Sequence, residues 1–102
     1  MKITWSPLAL ERVREITDYI AKDNVEAARL LAIELFGAVE RLKDFPRSGR
    51  MVPEAGRPDI REVIHEKYRI VYRIEKQQVS ILTVRHSRQR LPMKEIKATK
   101  AR

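Results

Sequence analysis

The stretch Tyr68-Arg69-Ile70-Val71-Tyr72-Arg73-Ile74 alternates apolar and charged side chains almost without a break. Successive side chains of a β-strand point to opposite faces, so Tyr68, Ile70, Tyr72 and Ile74 share one face and Arg69, Val71 and Arg73 the other. That pattern predicts a strand, Tyr68–Glu75, with its Tyr/Ile face turned to a core. Outward from it, Ile60–His65 and Val79–His86 have the same β-rich composition. The links between the three are too short for anything but antiparallel hairpins, so a meander is predicted.

Register decides which side chains meet. A loop of even length around Lys76-Gln77 sets Arg73 opposite Ser80 and Arg69 opposite Val84, with Ser80, Leu82, Val84 and His86 on the arginine face. An odd loop would stack Arg69 on Arg85, a like-charge pair that costs energy, so the even loop is preferred. In Ile60–His65, Ile60, Glu62 and Ile64 are assigned to the covered face and Arg61, Val63 and His65 to the open one. This needs an odd connection or a bulge near Glu66. Arg61, His65, Arg69, Arg73 and His86 would then converge on one open face, a candidate anion-binding surface. Polar residues on the solvent side of an ordinary antiparallel sheet give the same pattern, and spacing does not separate the two readings.

Before the meander the period changes. Lys2-Ile3-Thr4-Trp5 reads as a short strand. Ser6 is placed to cap a helix and Pro7 to occupy its first position, where a missing N–H costs nothing. Ala9, Val13, Ile16 and Ile20 follow at helical spacing, and the helix is expected to end near Lys22. Asp23-Asn24 turns the chain and caps a second helix, whose apolar stripe is Ala28, Leu31, Leu35, Ala38 or Val39, and Leu42. The short link predicts an antiparallel helical hairpin facing the sheet. From Pro46 to Pro58 three prolines and two glycines predict an ordered, basic loop. The expected architecture is α+β in the order β-α-α-β-β-β, with the helical hairpin on one face of a small antiparallel sheet. Residues 1–90 form the domain and 91–102 a basic C-terminal tail.

The chain has 102 residues and a formal net charge of +8. Residues 1–46 carry 7 Lys/Arg against 8 Asp/Glu, whereas residues 47–102 carry 15 against 6, so the positive field belongs to the C-terminal half. Most of those cations are arginines, planar forks suited to phosphate and carboxylate, which points to an anionic partner. With no cysteine, thiolate catalysis, disulfides and Cys-based zinc sites are excluded. His65 and His86 are too distant in sequence for a metal motif, and no glycine-rich phosphate loop occurs, so no metal or other cofactor is expected. No apolar run approaches the length of a membrane helix, and a cytoplasmic location is the expectation.

The order of elements, together with Trp5-Ser6-Pro7 and Ala9, Tyr19-Ile20, Phe45-Pro46-Arg47-Ser48-Gly49-Arg50, Arg61-Glu62, Tyr68 to Ile74 and Val84-Arg85-His86-Ser87-Arg88, resembles the RelE/ParE toxin superfamily over about residues 1–90. The resemblance implies the toxin of a bacterial type II toxin–antitoxin system. It implies as partner a cognate antitoxin with an acidic disordered segment, through which operator DNA would be bound indirectly. RelE-like members are ribosome-dependent mRNA endoribonucleases. In that case Arg69 matches an arginine that clamps phosphate and His86 a histidine that serves as acid. ParE-like members inhibit DNA gyrase without chemistry of their own. The tyrosine that many ribonuclease members carry near the C-terminus is missing, since Ser87 follows His86, and no lysine cluster precedes Tyr68. The closer resemblance is therefore to the ParE branch, with Arg61, Arg73, Arg85 and Arg88 as candidate target- or antitoxin-binding residues. A ribonuclease and an inactive basic binding module are the alternatives.

Overall fold

A computed structural model describes residues 1–98, with side chains through Ile96. Its elements are β1 (Lys2–Trp5), α1 (Pro7–Ala21), α2 (Val25–Glu40), a 3-10 turn (Arg41–Lys43), β2 (Arg50–Met51), β3 (Ile60–His65), β4 (Tyr68–Ile74), β5 (Gln78–His86) and α3 (Met93–Ala98). Residues 99–102 of the predicted tail lie outside the described residues.

Both helix starts follow the local chemistry. Ser6 Oγ accepts the Ala9 N–H at 2.9 Å with Pro7 just inside α1, and Asn24 Oδ1 accepts the Ala27 N–H at 3.0 Å at the start of α2. Each cap satisfies a backbone donor that the helix leaves without a partner, worth about 1 kcal/mol. Ala9 and Val13 of α1 and Leu31, Leu35, Ala38 and Val39 of α2 are buried against the sheet. They meet Tyr68, Ile70, Tyr72, Val79, Ile81 and Val84, so the Tyr/Ile face of β4 does lie under the helical hairpin.

The sheet runs β1-β5-β4-β3-β2. It is mixed rather than purely antiparallel, because β1 joins β5 in parallel, Lys2 beside Gln78 through Trp5 beside Ile81. The two-residue β2, unforeseen in the proline-rich loop, pairs with Arg61 and Glu62.

Two register expectations are corrected. Arg73 faces Ser80 as the even loop requires, but a bulge between Val71 and Tyr72 shifts the rest, so Arg69 faces Arg85 rather than Val84. The bulge leaves Leu82 and Thr83 on the arginine side and returns Val84 and His86 to the helix side. The β3–β4 connection is a two-residue turn, Glu66-Lys67, with Glu66 at φ 55°. Its even length pairs Arg61, Val63 and His65 with Tyr72, Ile70 and Tyr68, turning them to the helix side and Ile60, Glu62 and Ile64 to the arginine side.

The arginine face is not open. Val52, Ile60, Val71 and Leu82 form a second apolar cluster there, closed by Leu91 and Ile96 of the C-terminal segment, which are 2% and 5% exposed. Burying two such side chains contributes roughly 1.5–3 kcal/mol each, enough to hold a short helix that would not form alone.

Candidate functional site

Arg69 projects from β4 beneath this C-terminal segment and is 5% exposed. A guanidinium so placed needs charge partners, and two carboxylates supply them. Its Nε donates to Glu62 Oε1 at 2.6 Å, and Nη2 and Nη1 donate to the two oxygens of Glu54 at 2.9 and 3.0 Å. Nη1 also reaches the Gln89 carbonyl at 3.3 Å. Glu62 in turn accepts Arg50 Nε at 2.6 Å, and Glu54 accepts the Leu91 N–H at 3.2 Å. The fork geometry of arginine suits this bidentate clamp. Hydrogen bonding from Arg69 outweighs partial burial and holds the Glu54 carboxyl down at about 2. Glu54 likewise raises the Arg69 guanidinium above its ordinary value, against the opposing effect of burial.

A second clamp ties α3. Glu95 Oε2 accepts Arg12 Nη2 at 2.6 Å and Arg85 Nη1 at 2.7 Å, while Oε1 accepts Thr83 Oγ1 at 2.8 Å. Burial pushes the Glu95 carboxyl up, but bonds from Arg12 and Thr83 and the charge of Arg85 outweigh it, and the net shift is downward. Through this bond Arg12 ties α1 to α3.

The proline-rich loop is pinned from the helix side. Tyr72 Oη donates to the Pro46 carbonyl at 2.6 Å and accepts the Gly49 N–H at 3.0 Å. Arg61 donates to the carbonyls of Pro58 at 2.9 Å and Gly49 at 2.9 Å. A Cβ at Gly49 would lie 2.5 Å from Tyr72 Oη and 2.6 Å from the Glu62 carbonyl oxygen, so only glycine fits.

The five residues expected on one face are thus divided between two. Arg69 and Arg73 share the face covered by the C-terminal segment, and Arg73 lies 3.9 Å from both Asp59 and Glu75. His86 is on the helix side against Tyr68, ring centroids 5.9 Å apart, with Nδ1 accepting the Arg88 N–H at 3.1 Å. Arg61 braces a loop, His65 bonds Glu34 of α2, Arg85 holds Glu95, and Arg88 is exposed. Arg88 and Arg90 rim a polar hollow of about 440 Å³ with Arg69 and Glu54 among its walls. Arg69 and His86 do not meet. The carboxylates Glu54, Glu62 and Glu95 organise the site, and only Glu95 had a signal in the sequence, as the one acid after Glu75 in a basic segment.

A strand, a helical hairpin and a sheet whose far face is closed by arginine–carboxylate clamps define a small, basic α+β domain. Residues 3–91 match the family described as the ParE toxin of the type II toxin-antitoxin system parDE. The chain is 39% identical over 94 residues to Y4kP of Sinorhizobium fredii, itself described as a toxin, covering 89% of this chain and 93% of that protein. A solved structure of the chromosomal ParDE TA system from P. aeruginosa superposes with a TM-score of 0.71 over 84% of this chain and 95% of that one; at 20% identity it shows the shared fold. The chain belongs to the ParE toxin family: it is the toxin component of a type II system, and a cognate antitoxin is its partner. No helix among the described residues is long and apolar enough to cross a membrane.

Proposed function

We propose that this toxin arrests growth by binding DNA gyrase and carries out no RNA cleavage. The observation that carries this reading is the engagement of Arg69. Its Nε and both terminal nitrogens donate to Glu54 and Glu62, and His86 lies on the opposite face against Tyr68. General acid–base cleavage needs a charge-stabilising cation and a proton donor around one phosphate, and these two groups do not converge. Binding instead uses exposed surface, and the exposed Arg88 and Arg90 at the rim of the hollow suit an acidic surface of the target.

Neutralisation fits the same charge distribution. An acidic, disordered segment of the antitoxin would be attracted by the net charge of +8 and fold on the apolar positions left exposed on α2, Leu30 and Ile33. Operator DNA would then be reached through the antitoxin, and target and antitoxin would both be met in the cytoplasm.

The test is negative supercoiling of relaxed plasmid by purified gyrase with the toxin added. Inhibition relieved by antitoxin is expected. Normal supercoiling, with mRNA cut at the ribosomal A site, would overturn the reading in favour of a ribonuclease.

A further inference from the structure

One cluster outside the clamps brings together three metal-ligand side chains, Glu34 from α2 and the consecutive His65 and Glu66 from the end of β3 and the turn after it. His65, at the end of β3, points its Nε2 at Glu34 Oε1 of α2, 2.9 Å away, and lies 3.9 Å from Glu66 Oε2 of the β3–β4 turn. The three donor atoms all fall within 4.8 Å of one another. Around a tetrahedral zinc ion, nitrogen and oxygen ligands at about 2.0–2.2 Å stand roughly 3.3–3.5 Å apart, so the observed separations bracket what such an ion requires.

We propose that Glu34, His65 and Glu66 form a binding site for a divalent transition-metal ion of the zinc type, with the fourth position left to water. Three features distinguish the cluster from an acidic surface patch. The first is the imidazole nitrogen, a neutral donor that favours zinc, nickel or copper over calcium or magnesium, which prefer all-oxygen shells. The second is the Glu66 carboxylate, which at 3.9 Å is beyond hydrogen-bond reach of the ring and makes no hydrogen bond among the described residues. Glu66 directly follows His65 in the chain and holds a left-handed backbone conformation, φ 55°, in the two-residue turn. The third is placement: Glu34 and Glu66 both line a groove of about 460 Å³ formed by α1, α2 and the β3–β4 turn, with Tyr19, Leu31 and Tyr68 also on its walls. A shared ion joins its two sides. Two carboxylates also match the ion's double charge, while Lys67, lining the same groove, opposes it.

The site is independent of gyrase binding and of the Arg69 clamp. It is tested on the full-length chain, stripped with chelator and titrated with zinc chloride by isothermal calorimetry, with magnesium chloride as comparison. One saturable zinc per chain is expected, with no comparable magnesium signal and a rise in melting temperature. His65→Ala should abolish the binding, and Glu34→Gln and Glu66→Gln should each weaken it at least about tenfold. All three positions are partly exposed, and circular dichroism of each variant checks that it is folded. Absence of saturable zinc binding overturns the proposal. So does zinc binding that survives His65→Ala and is lost only on His86→Ala.

Discussion

Arg69 and Arg85 stand directly opposite each other on β4 and β5, and each is tied to a different carboxylate, Arg69 to Glu54 and Glu62 and Arg85 to Glu95. Two cations in this position repel, and the carboxylates beside them offset that cost. The C-terminal segment is held by the same groups, through the Leu91 N–H to Glu54 and through Glu95 itself.

Acid should therefore loosen this face. The Glu54 carboxyl is lowered from 4.5 to about 2, so it binds its proton less readily in the folded than in the unfolded chain. A depressed value contributes stability that is present above the unfolded value and is lost as pH falls towards about 2. Denaturation in urea between pH 6 and about pH 2 is expected to show a loss of roughly 1–2 kcal/mol from this group, discounted for its contact with water. In Glu54→Gln that part of the pH dependence should vanish.

Glu95→Ala removes three bonds at once, leaving the partly buried guanidinium of Arg85 without its acid and Arg12 with Glu15 alone among the described residues. Breaking one side of a buried pair costs about 3–5 kcal/mol, and the low end applies because both arginines keep some water contact. Hydrogen exchange should accelerate first in α3 and spread to the outer part of β5. Unchanged protection there would contradict the clamp.

Tyr72→Phe tests the pin on the proline-rich loop. It leaves the Gly49 N–H and the Pro46 carbonyl without their partner, a loss of about 1–3 kcal/mol. Gly49→Ala should be worse, since backbone as well as side chain stands in the way of the new Cβ. Thermal unfolding of the two variants gives the order directly.

His86→Ala separates the two modes of toxicity. Since His86 touches Tyr68 and the Arg88 backbone but not Arg69, growth arrest in cells lacking antitoxin should be retained. Retained arrest with a folded variant supports inhibition by binding, and loss of arrest would restore an acid–base role.

The helices, their caps and the Tyr/Ile face of β4 were legible in the sequence because each depends on neighbours within a few residues. Ser6 caps Ala9, Asn24 caps Ala27, and alternation in Tyr68–Ile74 sets one face by strand geometry alone. The family was legible because several short local words, from Trp5-Ser6-Pro7 to Val84-Arg85-His86-Ser87-Arg88, occur in one order along residues 3–91. What sequence could not give was the meeting of the arginines with their acids. The bulge in β5 and the even turn at Glu66 each exchange the faces of everything beyond them, because strand side chains alternate with a period of two. Which residues carry charge is plain from the chain itself. That Arg69 meets acids 15 and 7 residues away, with a segment from the far end of the chain laid over it, follows from how the strands pair and what packs on them.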